Sequence, residues 1–247
     1  MSNKFIKLDS GKTNSYLIKG DNGYLLIDTG YEAHYSGFLK EITEHDIKLQ
    51  EINYLLLTHH HDDHSGFVKK ILNDCELKII AHDNAENLLR KGENDKTNGG
   101  GIINRKMYFV FKFGQWFIPN LFNLTFPPLK LREKDILVNK DDNEILKRIG
   151  INGDILFTPG HTIDSISLLM FEGSLFCGDL AANLPAWLDI KYCPPFVTDL
   201  EILYQSWQKI IGSRAKKVYP SHGQPFEVEK LREYMNDYKN EDLIKFF

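Results

Sequence analysis

Cysteine is scarce in this chain. Cys75, Cys177 and Cys193 are odd in number and widely separated, which excludes the disulfide framework that staples small secreted domains. Long apolar runs are missing too, and nothing approaches the length of a membrane span. The opening residues, Met1-Ser2-Asn3-Lys4-Phe5, have no apolar signal region behind them. These absences point to a reducing compartment, with the cytoplasm as the expected location. An excess of one charge is also absent. Thirty Lys and Arg against 34 Asp and Glu leave a formal net charge of −4, scattered in sign, so neither nucleic acid nor an anionic membrane is an expected partner. No linker or composition shift divides the 247 residues, and one hydrophobic core still serves a chain of that length. The expected organisation is therefore a single domain, residues 1–247.

What is present in abundance is chemistry at one place. Thr58-His59-His60-His61-Asp62-Asp63-His64-Ser65-Gly66 packs four histidines and two aspartates into six consecutive positions. It follows Tyr54-Leu55-Leu56-Leu57, which reads as a short buried parallel strand with a functional loop at its carboxyl end. Neutral imidazole and carboxylate suit zinc, and iron and manganese as well. The bland alternatives are a solvated polar turn or a His-rich tract that binds metal adventitiously. Spacing argues against them: His59 and His61, two apart, reach one ion, while Asp63 and His64 point elsewhere and can serve a second. Four more ionisable residues each follow an apolar run. Asp28 closes Tyr24-Leu25-Leu26-Ile27, His161 sits in Thr158-Pro159-Gly160-His161-Thr162, Asp179 follows Leu175-Phe176-Cys177-Gly178, and His222 follows Val218-Tyr219-Pro220-Ser221.

The H-x-H-x-D-H pattern of His59, His61, Asp63 and His64, with these four motifs in order behind and before it, resembles the metallo-β-lactamase superfamily. The resemblance implies an α/β fold, a four-layer αββα sandwich with the metals in the cleft between the sheet edges. It implies that His59, His61 and His161 hold one divalent ion, that Asp63, His64 and His222 hold another, and that Asp179 bridges them, with zinc the first choice of metal. Asp28 would then orient metal-binding groups from outside the coordination sphere. Two cations sharing a water lower its pKa, giving a bridging hydroxide as nucleophile, with Asp63 orienting it and carrying the proton. The expected activity is hydrolysis of a small ester, lactone or thioester; a phosphodiesterase and a mononuclear-iron persulfide dioxygenase are the rivals. Some β-lactamases of the superfamily have a cysteine ligand where Asp179 stands, so the aspartate argues against β-lactam hydrolysis. Cys177 is expected to face the core. Lactonases of the superfamily carry a tyrosine three residues beyond the bridging aspartate; here that position is Ala182, and Tyr192 is the candidate substitute. Only 25 residues follow His222, which argues against a glutathione thioester.

Elsewhere the pattern is regular, with strands and helices in two similar halves. The exception is residues 90–135, read as an insertion. Its polar, Gly-rich start, Gly92 to Gly101, is expected to be a mobile loop. The run from Met107 to Phe126 is dense in aromatic rings, more than can comfortably face water. Phe113 and Trp116 are expected to wall a substrate pocket; a homodimer contact comes second and a lipid contact last. His34, His45, His60 and His82 are expected at the surface or behind the ligands, with the His60 side chain turned away from the metals.

Overall fold

Strand residues here are apolar on both faces, and the tertiary structure uses both. A computed structural model of the chain describes residues 4–9, 11–95, 100–117, 124–235, 237 and 242–245. The first half builds a six-stranded sheet from β1 (Phe5–Leu8), β2 (Ser15–Gly20), β3 (Gly23–Ile27), β4 (Ile52–Leu56), β5 (Lys78–His82) and β7 (Ile136–Val138), in that spatial order. The β1–β2–β3 meander is antiparallel, and β3, β4, β5 and β7 run parallel. The second half builds a five-stranded sheet from β8 (Gly153–Phe157), β9 (Ile166–Met170), β10 (Ser174–Phe176), β12 (Lys217–Tyr219) and β13 (Phe226–Glu227), in the spatial order β13-β12-β10-β9-β8. A short pair joins β6 (Gly101–Ile102) to β11 (Phe196–Val197).

Alternation along each strand then sorts the side chains into three cores. Ile18, Ile27, Leu56 and Ile80 meet Ile155, Ile166, Leu168 and Phe176 between the sheets. Leu17, Leu26, Leu55 and Ile79 point the other way. They pack under α1 (Tyr35–Glu44), α3 (Val68–Asp74) and α4 (Ala85–Lys91) through Phe38, Ile42, Ile71 and Leu89. On the outer face of the second sheet, Leu169, Leu175 and Val218 lie under α7 (Leu200–Ile211) and α8 (Glu229–Tyr234). Trp207 of α7 is fully buried there, and its indole N–H donates to the Leu180 carbonyl at 2.8 Å, so its one polar atom is satisfied. Short helices α2 (Asp62–Ser65) and α6 (Ile145–Arg148) complete the set. The result is the expected mixed α/β sandwich, helix, sheet, sheet, helix. The carboxyl ends of parallel β3, β4 and β5 fall on one edge, the usual place for a site in parallel sheets.

The insertion differs from expectation at its start. Gly92 takes φ +73° and caps α4 in the left-handed conformation, its N–H bonded to the Leu88 carbonyl. The next residues are pinned rather than mobile. Asn94 exchanges two hydrogen bonds with Asp62, and the Asp95 N–H donates to Nε2 of His60 at 3.2 Å. The rest of that loop, Lys96 to Gly99, and Ile118 to Asn123 of the aromatic run lie outside the described residues. The remainder of that run forms α5 (Arg105–Phe117), whose Met107 is buried, with Tyr108 and Phe111 packed against the same core. Sequence periodicity gives no clear sign of this helix, because both of its faces are aromatic.

Candidate metal centre

Asp28 organises the site from behind. It ends β3 with φ +54°, a left-handed conformation that an aspartate tolerates better than most residues. Its carboxylate is fully buried and accepts from the Thr58 N–H at 2.7 Å, the Thr58 hydroxyl at 2.7 Å and Nδ1 of His64 at 2.8 Å. With a metal bound, that last bond would keep the His64 proton on Nδ1 and leave Nε2 to face the cleft as a ligand. The Thr58 hydroxyl lies 3.2 Å from Nδ1 of His59 and turns that ring likewise. Across the cleft, Gly178 (φ +55°) approaches the Thr58 side chain so closely that an added Cβ would collide with it. This close approach sets Asp179 opposite the histidine motif.

Three donor groups result. Ligand atoms of His59, His61 and His161 lie within 4.8 Å of one another, as do those of Asp63, His64 and His222, and those of His59, His64 and Asp179. Nδ1 of His61 faces Nε2 of His161 at 3.2 Å. Two nitrogens on one tetrahedral zinc, each at about 2.0–2.1 Å, stand roughly 3.3 Å apart, so the spacing fits an ion between them. Asp179 stands between the two sets. One carboxylate oxygen is 3.5 Å from Nε2 of His64, and the other is 3.5 Å from Nε2 of His222 and 3.7 Å from Nε2 of His161. Asp63 contacts Nε2 of His222 at 3.0 Å and Nε2 of His64 at 3.6 Å. Among the described residues, Nε2 of His59, Nε2 of His64 and Oδ1 of Asp179 are buried without a hydrogen-bond partner. Three buried polar atoms without partners, converging on one cleft, are costly unless a cation fills it. The donor chemistry and spacing both fit divalent metal.

Electrostatics divide the two sets. Burial, then the neighbouring imidazoles, hold His59 and His61 well below the ordinary histidine value, and burial lowers His161. All three are therefore neutral, the form that ligates. Burial works the same way on His64 and His222, but the carboxylates outweigh it. Asp63, Asp28 and Asp179 hold His64 well above its usual value, and Asp179 with Asp63 pushes His222 up to about 10. Burial alone would raise Asp179, yet His222 and His64 keep it well below the carboxylate range. Without metal, protons on His64 and His222 supply the positive charge that this half of the site requires.

Several supporting residues escaped the sequence reading. The β1–β2 loop clamps the second set: the Thr13 hydroxyl donates to Asp63 at 3.3 Å, and Nδ1 of His222 donates to the Lys12 carbonyl at 3.2 Å. Asn14 holds the carbonyls of Pro220 and Gly223. Nδ1 of His161 donates to the Phe196 carbonyl at 2.8 Å, tying that ligand to β11. Tyr31, three residues beyond Asp28, is a further member. Burial raises its phenol, and the carboxylates of Asp63, Asp62 and Asp179 raise it further. No local signal in the sequence points to these contacts, since each joins chain segments far apart.

The other candidates are engaged elsewhere. His60 turns away from the cleft, as expected, and its ring is fully buried with Nδ1 2.9 Å from Asp164. His82 is also buried rather than at the surface, stacked on Phe157 with centroids 4.2 Å apart. Cys177 packs into the core of the second sheet. Tyr192 lays its ring on Phe226 and Tyr234, at 4.3 and 5.8 Å between centroids. Phe113 and Trp116 face outward from α5, on the side opposite Met107 and Phe111.

Comparisons with known proteins agree with this geometry. Residues 8–222 match the family model described as Metallo-beta-lactamase superfamily. A beta-lactamase-like protein 2 homolog of Drosophila melanogaster is 27% identical over 241 residues, covering 95% of this chain and 68% of that protein. The thioesterase pkgB of Emericella nidulans is 34% identical over 217 residues; the match covers 85% of this chain but only 46% of pkgB. Among solved structures, a metallo-beta-lactamase family protein of Thermus thermophilus superposes with a TM-score of 0.66 at 20% identity, over 95% of this chain and 79% of that one. An archaeal superfamily protein of Sulfolobus tokodaii gives 0.62 at 18% identity over the whole of this chain and 90% of its own. The chain belongs to the metallo-beta-lactamase superfamily.

Proposed function

We propose that the chain is a dinuclear metal-dependent hydrolase of a small acyl compound, with a thioester the leading substrate and esters and lactones next. The observation that carries this reading is the meeting of two complete donor sets at Asp179. His59, His61 and His161 would hold one ion and Asp63, His64 and His222 the other, with Asp179 shared and zinc the expected metal. The name of the fungal relative pkgB supports the thioester. Divalent cations bound there supply an acidified water and a Lewis acid for the acyl oxygen.

The chain's own residues supply the rest. Asp63 is fixed by Thr13, His222 and His64, and is the group placed to hold the proton lost by the attacking water and pass it to the leaving sulfur or oxygen. Asp28 and Thr58 hold His64 and His59 in register, so that little reorganisation accompanies the reaction.

The test combines metal and substrate. Protein purified without added metal is expected to carry close to two zinc ions per chain. Acyl thioesters, aryl esters, acyl-homoserine lactones and bis-aryl phosphates are then assayed side by side. Asp63→Asn is expected to lower kcat about 10²–10⁴-fold on the best acyl substrate with the fold intact. A clear preference for the phosphate diester replaces the acyl reading with a phosphodiesterase. One iron per chain and oxygen consumption with a persulfide replaces the hydrolase with a dioxygenase.

A further inference from the structure

Helix α5 carries two apolar faces, and the fold uses one. Met107, Tyr108 and Phe111 pack into the core beneath the helix. On the opposite face Phe109, Phe113, Trp116 and Phe117 are 67%, 60%, 76% and 64% exposed. Their spacing of four, three and one residues places all four on one stripe of a helix with 3.6 residues per turn. Phe109, Phe113 and Trp116, with Val110 and Lys112, line an open groove of about 520 Å³. Contiguous exposed aromatic surface of this kind marks an interaction site.

Charge selects the partner. From residue 96 to residue 132 the chain has six Lys and Arg and no Asp or Glu, although its overall net charge is −4. The net value conceals a strongly basic segment inside an acidic protein. On α5 itself, helical spacing puts Arg105 and Lys112 along one margin of the aromatic stripe and Lys106 between Phe113 and Phe117, and no acidic residue shares the helix. Lys106 also reaches Asp189 at 3.4 Å, an exposed pair that contributes little and leaves the ammonium within reach of a stronger anion. Aromatic rings and cations sharing one exposed helix face, with no acid among them, suit a helix that lies in an anionic lipid headgroup layer. A second copy of the chain fits less well. A two-fold contact through this face would set these cations against their symmetry mates. A single strand of nucleic acid fits less well too, because of the three cations on α5 just one, Lys112, lines the groove.

We propose that α5 docks the protein on an anionic lipid surface, with Phe109, Phe113, Trp116 and Phe117 inserted at the headgroup level and Arg105, Lys106 and Lys112 on the lipid phosphates. Neighbouring structure extends the face. Asn104, just before the helix, donates to the carbonyls of Leu188 and Asp189, holding the loop that exposes Trp187 at 66%. The helix also leads directly to the metal centre. It starts three residues after β6, and Ile102 of β6 pairs with Phe196, whose carbonyl holds His161. A protein docked through α5 therefore rests on the lipid beside the elements that carry a candidate ligand.

The test is co-sedimentation of the full, metal-loaded chain with vesicles of phosphatidylcholine alone and of equal parts phosphatidylcholine and phosphatidylglycerol. Three cations near an anionic surface favour the charged vesicles roughly a hundredfold. Arg105→Gln with Lys112→Gln is expected to lower that partition roughly fivefold per cation. Phe113→Ser with Trp116→Ser is expected to lower it roughly tenfold or more per side chain while circular dichroism and metal content stay unchanged. Equal binding to neutral and charged vesicles overturns the proposal. Retained binding by the serine variant overturns it as well. Absence of vesicle binding overturns it, whether the aromatic face instead closes a dimer in sedimentation velocity or binds a single-stranded oligonucleotide. None of these readouts depends on hydrolase activity, so failure here leaves the proposed reaction standing.

Discussion

His60 sits between two candidate ligands yet serves the fold, and replacing it tests that reading directly. Nδ1 lies 2.9 Å from Asp164, Nε2 accepts from the Asp95 N–H at 3.2 Å, and both the imidazole and the Asp164 carboxylate are fully buried. His60→Ala strips Asp164 of its imidazole partner and removes the acceptor of the Asp95 N–H. Leaving one charge of a buried pair unpaired costs about 3–5 kcal/mol. In a domain of this size that corresponds to roughly 6–20 °C in Tm. His60→Ala, at a position turned away from the metal cleft, is therefore expected to be far from silent in stability. The pH dependence supplies a second check. Burial would raise the Asp164 carboxyl, but His60 and a hydrogen bond from Thr162 hold it below its ordinary 3.8. A depressed folded value contributes stability above about pH 3.8 and loses it as pH falls through the folded value. In His60→Ala burial is opposed by the Thr162 and backbone hydrogen bonds without His60, so the carboxyl rises, acid relieves the strain and the deficit against wild type narrows as pH falls. Urea unfolding at neutral pH and near pH 4, with metal held constant, measures both effects. A further replacement, His60→Ala with Asp164→Ala, removes the stranded charge and is expected to recover much of the loss. A neutral-pH loss under about 1 kcal/mol, or a deficit that fails to shrink in acid, would refute the account of this pair.

Two other outcomes follow from the centre itself. Asp28→Asn keeps the size of the side chain but weakens its hold on His64 Nδ1, and metal affinity is expected to fall about 10–100-fold by competition titration with a chelator, with the loss absent if Asp28 is only structural. In metal-free protein, the raised value of His222, about 10, means that its stabilising contribution is complete below the ordinary value of 6.5 and declines as pH rises to about 10. Chelated protein should accordingly lose stability between those limits, zinc-loaded protein should not, and identical pH profiles for the two would contradict the assignment of His222 to the cleft.

Much of this molecule was legible before any coordinates. The candidate ligand motifs stood out because metal chemistry demands a narrow set of side chains, and because each stands where an apolar run ends, at the carboxyl edge of a buried strand. Strand positions were readable for the same reason: Leu55 and Leu56 are apolar because one faces the helices and the other faces the second sheet. What required the tertiary structure were pairings between distant segments. Asp164 meets His60 across 104 positions and Lys12 meets His222 across 210, and no local pattern encodes either. The pinned start of the insertion was misread because Gly and Asn signal loops equally well whether or not Asn94 finds Asp62. Helix α5 was the hardest case. Helical periodicity shows in a sequence only when one face is polar, and here one face serves the core while the other is aromatic and open to solvent. The sequence alone therefore determined that these rings occur together; the fold decided which of them the protein keeps for itself and which it presents outward.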